Sequence, residues 1–149
     1  MKRLVTERAE ETRLFGASLA KTLTPQTLIT LQGDLGAGKT TLIQGILEEL
    51  GAEKPYISPT FVLMKLYELK KPALTGVKRI YHVDCYRVAA KDFENLGFFE
   101  WLNDPEGLVL VEWPERIASL LPEKRHSLAL RTLEENEREI TFHTPEETL

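Results

Sequence analysis

The chain has 149 residues, of which 42% are hydrophobic and 28% charged, and a formal net charge of −4. That length suits one domain with a real core, and the acidic balance argues against tight direct binding to nucleic acid, which needs a clustered positive surface. Apolar runs fall well short of the ~20 residues that cross a bilayer, the start Met1-Lys2-Arg3 is charged at once, and one cysteine, Cys85, precludes an internal disulfide, so we expect a cytoplasmic protein without a membrane partner.

From the N-terminus, Thr6 is placed to cap a helix whose first turn carries Glu7, Glu10 and Glu11. Thr27-Leu28-Ile29-Thr30-Leu31 reads as a buried strand, and Gly33-Asp34-Leu35-Gly36-Ala37-Gly38-Lys39-Thr40 follows at once. Leu42, Ile43, Ile46, Leu47 and Leu50 then recur at helical spacing up to Gly51, where a helix end favours glycine. Phe61 to Leu69 and Lys78 to Asp84 read as two strands, and the short link through Pro72 and Gly76 makes them antiparallel. Leu108 to Val111 is an apolar run fit for burial on both faces, ending in Glu112. Ser127 to Leu133 and Glu139 to Phe142 flank a polar turn as a final hairpin, and Pro145 to Leu149 is a tail expected to fray. The order of elements predicts one α/β domain over 1–149, with a mixed central sheet and helices on both faces.

The segment Gly33 to Thr40 fits G-x-x-x-x-G-K-[ST] between a strand and a helix, which is the setting of a P-loop. Such a loop wraps a triphosphate in backbone N–H groups, and the following helix turns its positive end to the phosphates. Lys39 would bridge the β- and γ-phosphates, the Thr40 hydroxyl would ligate Mg²⁺, and Thr41 would bond the α-phosphate. ATP or ADP with Mg²⁺ is the expected ligand.

Such a site also needs an acid for the metal and the attacking water. Two strand ends offer one: Asp84 after Ile80-Tyr81-His82-Val83, and Glu112 after the apolar run. His82 shares a strand face with Asp84, and the sequence leaves it open as structural or catalytic. Trp113 is open between core packing and a place beside the nucleotide. Ser58-Pro59-Thr60-Phe61 combines a rigid turn with two hydroxyls, a placement that suits a γ-phosphate switch, while position alone favours an ordinary turn entering a strand. Lys65, Lys70, Lys71, Lys78, Arg79 and Arg87 form a local basic cluster that reads first as a solvated hairpin surface.

Taken together, these segments resemble the bacterial TsaE (YjeE) family, the ATPase component of tRNA threonylcarbamoyladenosine biosynthesis. The carrying residues are Gly-Asp-Leu-Gly-Ala-Gly-Lys-Thr-Thr at 33–41, Ser-Pro-Thr-Phe at 58–61, His-Val-Asp-Cys-Tyr-Arg at 82–87 and Val-Glu-Trp-Pro-Glu at 111–115. The resemblance implies a P-loop NTPase-like three-layer sandwich. It also implies that Lys39 and Thr40 bind phosphate and Mg²⁺, that Asp84 and Glu112 serve the metal and the water, that Trp113 lies near the nucleotide, and that Ser58 to Phe61 is the switch. Which carboxylate stands closer to Mg²⁺ is left open. Family members hydrolyse ATP weakly alone and act on the TsaD transferase and its companion TsaB, so tRNA would be met through that complex. Two rivals are a small-molecule kinase, which would want an arginine-bearing lid where only Arg87 stands near a motif, and a nucleotide-gated interaction module. A GTPase is disfavoured because there is no N-K-x-D segment.

Overall fold

The computed structural model describes residues 1–56, 59 and 63–146. Its elements in chain order are β1 (Lys2–Thr6), α1 (Ala9–Ala20), β2 (Thr27–Gln32), α2 (Lys39–Leu50), β3 (Met64–Glu68), β4 (Arg79–Asp84), α3 (Ala90–Phe93), α4 (Phe98–Leu102), β5 (Gly107–Glu112), β6 (His126–Thr132) and β7 (Arg138–His143), with a 3₁₀ turn at Glu94–Leu96 and a 3₁₀ segment at Pro114–Leu120. The strands form one sheet in the order β1-β7-β6-β2-β5-β4-β3. The inner four, β6, β2, β5 and β4, run parallel, while β3 and β7 are antiparallel to their inner neighbours.

Alternation along the strands sends side chains into two cores. On one face Ile29, Leu31, Ile80, Leu108 and Leu110 pack against Leu19, Leu42, Ile46 and Leu50 of α1 and α2. On the other, Leu28, Val83, Val109 and Val111 meet Phe93, Phe98 and Ile117. Every residue of β5 is buried, so its sequence is apolar without alternation up to the last residue. This is the mixed-sheet α/β sandwich, with helices on both faces, that the sequence predicted.

Helix α2 fills its span as expected, and Gly51 closes it with φ 87°. The β3–β4 and β6–β7 pairs are antiparallel, as read. Of the first predicted strand in the β3–β4 pair, Phe61 and Val62 lie outside the described residues, and β3 runs from Met64.

One local reading is corrected, and one strand is added. Thr6 does not cap α1: it ends β1, and its buried hydroxyl pairs with that of Thr12 at 2.7 Å. The helix instead starts after Arg8, and its first turn is tied back by the Glu11 carboxylate, which accepts the Glu7 N–H at 2.6 Å. Strand β1 itself is not foreseen, because a short, charged edge strand has no apolar alternation to show. The basic cluster is a solvated surface, as read, and is ion-paired in part: Lys70 pairs with Glu53, Lys78 with Glu106, and Arg79 with Asp104 and Glu106.

Candidate functional site

The parallel strands β4, β2 and β5 end on one edge of the sheet, where ligands of open α/β sheets bind. Between β2 and α2 the chain must turn sharply. Gly33, at φ 155°, lies so close to β6 that a Cβ there would sit 2.6 Å from the Leu130 carbonyl oxygen. Gly38, at φ 101°, is the residue before α2, and it takes a left-handed backbone that side chains other than glycine rarely adopt. The loop geometry therefore depends on glycine at both places.

Above this loop lies a cleft of about 500 Å³. The loop and α2 supply Leu35, Gly36, Gly38, Lys39, Thr40 and Thr41, and the strand ends supply Asp84, Glu112 and Trp113. Gly33, Asp34 and Ala37, expected with them, line a neighbouring groove on the β6 side instead, and Trp113 borders both. Tyr86 and Arg87 after β4, Ala9 and Thr12 of α1, and Asn136 and Arg138 of the β6–β7 hairpin complete the cleft wall.

Lys39 is only 5% exposed. Its ammonium donates to the Gly33 carbonyl and stands 3.7 Å from the centroid of the Trp113 ring. Burial lowers its pKa, and the nearby carboxylates of Glu112, Asp84, Glu115 and Asp34 oppose that shift. A desolvated cation resting on a carbonyl and a ring face is a ready partner for an anion at the helix N-terminus. Trp113 has left-handed backbone, φ 58° and ψ 50°, an uncommon state for a bulky residue. Its ring lies 4.9 Å from that of Tyr86.

Asp84 and Glu112 face each other in the β4–β5 register, and both are 4% exposed. Asp84 Oδ1 accepts the Tyr86 N–H at 2.9 Å, fixing the chain as it leaves β4. Glu112 Oε2 lies 2.8 Å from Nε2 of the buried His82. The Glu112 carbonyl accepts the Cys85 N–H at 3.1 Å, so the two strand ends stay joined past the last paired residues. Cys85 is buried here, and burial, helped by Asp84, Glu112 and Glu115, pushes its thiol up to about 12, which removes it as a nucleophile.

Ser58, Thr60 and Phe61 of the expected switch lie outside the described residues. Pro59 is described and buried; its carbonyl accepts the Leu63 N–H at 2.8 Å, and the Leu63 carbonyl accepts the Asp84 N–H at 2.9 Å. A backbone chain therefore links Pro59 to the acid at the end of β4.

The site's oxygen donors, the Thr40 hydroxyl and two carboxylates, suit a hard cation that keeps other ligands from water and phosphate. Among the described residues no group of three His, Cys, Asp or Glu side chains is set to hold a metal by itself. Among the same residues no helix is long and apolar enough to cross a membrane.

Sequence reasoning did not find Thr12, Asn136 or Arg138. A Cβ on Gly38 would lie 3.6 Å from the Thr12 methyl and 3.7 Å from Arg138 Cγ, so both side chains pack beside the loop. They come from opposite ends of the chain and carry no local pattern that would have marked them. The sequence places His82 on the face of Asp84, but its contact with Glu112 follows only from strand order.

The family model for threonylcarbamoyl adenosine biosynthesis protein TsaE matches residues 6–140. The tRNA threonylcarbamoyladenosine biosynthesis protein TsaE of Bacillus subtilis is 39% identical over 137 residues, covering 92% of this chain and 82% of that protein. The protein of the same name from Treponema pallidum is 36% identical over 140 residues, covering 93% of this chain and 98% of its own length. The crystal structure of Bacillus subtilis YdiB superposes with a TM-score of 0.77 at 33% identity, covering 95% of this chain and 83% of that one.

Proposed function

The chain belongs to the TsaE family, which takes part in tRNA threonylcarbamoyladenosine biosynthesis, and from that premise we propose that it is a Mg²⁺-dependent ATP hydrolase serving the transferase complex of that pathway. The observation that carries the reading is the convergence of Lys39, Thr40, Asp84 and Glu112 on one cleft at the N-terminus of α2.

In this reading the loop N–H groups at 33–41 hold the phosphates, and the α2 dipole adds to their pull. Lys39 leaves the Gly33 carbonyl and the Trp113 ring to meet the β- and γ-phosphates. Thr40, with Asp84 and Glu112, would hold Mg²⁺ directly or through water; bound with the triphosphate, the ion supplies neutralisation of charge on the phosphoryl oxygens. Glu112 orients the attacking water and accepts its proton. Trp113 packs beside the nucleotide, and the segment Ser58, Pro59, Thr60 and Phe61 senses the γ-phosphate. The backbone chain from Pro59 through Leu63 to Asp84 supports that last role, because a shift at one end moves the other.

Hydrolysis would drive or reset the TsaD–TsaB pair, through which tRNA would be met, in the cytoplasm. Ion pairing of Lys70, Lys78 and Arg79 supports indirect contact with RNA, since those charges already face carboxylates.

A Glu112→Ala variant tests the reading. Mg-ATP binding is expected to survive, while hydrolysis falls by about 10²–10³-fold and formation of the modified adenosine stops. Retained modification without hydrolysis would instead make the chain a nucleotide-gated docking module.

A further inference from the structure

His82 is buried beneath the cleft, and the roles given to the two carboxylates leave it without a task. It is 3% exposed, its Nε2 lies 2.8 Å from Glu112 Oε2, and its Nδ1 is buried with no hydrogen-bond partner among the described residues. An ionised carboxylate can only accept, so against it Nε2 is the protonated nitrogen. In the neutral ring Nδ1 is then a bare acceptor. The penalty of burying an acceptor without a donor is of the same order as the net gain from one charge-assisted hydrogen bond. The pair therefore adds little to folding, and an apolar side chain would fill the place at less cost. Stability does not account for a histidine here.

Position does. In the β4–β5 register His82 stands opposite Leu110 and Asp84 opposite Glu112, so the imidazole reaches diagonally along the sheet face to the carboxylate. The Lys39 ammonium attracts Glu112 in that corner, Glu112 being the leading charge that favours protonated Lys39. Yet among the described residues Lys39 and Glu112 form no ion pair; each keeps a different partner. A long carboxylate released from that histidine would swing toward the lysine side of the corner, taking the base away from the water.

We propose that His82 is a positioning residue for hydrolysis: it holds Glu112 Oε2 away from Lys39, so that the other carboxylate oxygen is presented to the attacking water. The inference rests on the ATPase reading above. It follows the general pattern in which the neighbour that orients a reacting group is itself necessary for the rate.

The test compares the wild-type chain with His82→Leu, His82→Gln, His82→Asn, Glu112→Ala and the His82→Leu/Glu112→Ala double variant. Leucine removes the donor, glutamine offers an N–H at similar reach, and asparagine falls short. With the TsaD–TsaB pair present, His82→Leu and His82→Asn are expected to lower kcat about 10–100-fold while Mg-ADP affinity changes less than about threefold. Glutamine should restore most of the loss, and His82→Leu should subtract nothing further from the residual rate of Glu112→Ala. Independently of turnover, ¹⁵N spectra of the imidazole should show Nε2 protonated, with its proton resonance displaced by Glu112→Ala. If His82→Leu does not fold, the asparagine and glutamine variants decide the matter between them. Near-wild-type kcat in the asparagine variant, an equal loss in the glutamine variant, or losses that add with Glu112→Ala would overturn the proposal. A wild-type chain without Mg-dependent turnover would remove the ATPase reading and this inference together, whereas wild-type turnover matched by His82→Asn removes the inference alone.

Discussion

Trp113 is the residue where backbone and side chain meet the cleft at once. It follows Glu112 directly, takes a left-handed conformation, and lays its ring 3.7 Å from the Lys39 ammonium. If Lys39 moves to phosphate, that ring loses its cation. Nucleotide binding should therefore change the emission of Trp113, and Trp113→Phe should abolish most of the change while Trp101→Phe leaves it. A titration of both variants with Mg-ADP checks this; a signal carried by Trp101 would be the contrary result. Asp104 shows the same residue-scale logic away from the cleft. Arg79 holds its carboxyl well below the usual carboxylate range, with help from the Glu106 N–H and the Tyr81 hydroxyl, against the pull of burial. A depressed pKa gives stability that is fully present above the ordinary value of about 4 and is lost as pH falls from there toward the lower folded value. Asp104→Asn should thus lower the Tm by about 5 °C at pH 7, with the gap closing below about pH 4. A thermal-melt series against pH reads both.

At the scale of elements, the crossing of α1 and α2 decides where α2 sits beneath the cleft. Gly16 and Gly45 face each other's helix so closely that a Cβ on Gly45 would lie 2.1 Å from the Arg13 carbonyl oxygen, and one on Gly16 2.2 Å from that of Leu42. Alanine in a helix gains about 1 kcal/mol over glycine. Here the contact is with backbone, which cannot turn aside, and forcing helices apart in a packed core costs about 1–3 kcal/mol or more. Gly45→Ala should therefore destabilise in urea unfolding despite its better helix propensity, and a stabilised variant would refute the close crossing. The elements also show what a sequence can reveal. Strand β2, the glycine loop and α2 were legible because turn chemistry and periodicity are properties of neighbours along the chain. Helices α3 and α4 span four and five residues, less than two turns, and left no period to read. Thr6 looked like a cap because its hydroxyl and the acids after it fit the pattern, but pairing of β1 with β7 took it into the sheet.

The whole molecule explains the rest of the candidate site. Asp84 and Glu112 were nameable as strand ends, yet their facing positions depend on β4 lying beside β5. Asn136 and Arg138 reach the cleft only because β7 folds back along β6, which pairs with β2. No window of sequence contains that adjacency. The same order explains how a chain of net charge −4 concentrates cationic and anionic groups at one edge of its sheet without a broadly positive surface. The central claim concerns the work done at that edge. Its most direct test is Mg²⁺-dependent ATP hydrolysis by the purified chain, alone and with the TsaD–TsaB pair, with Lys39→Ala as control. Slow turnover alone, a clear increase with the pair, and none in the control are expected. Turnover unaffected by Lys39→Ala, or no turnover under either condition, would contradict the claim.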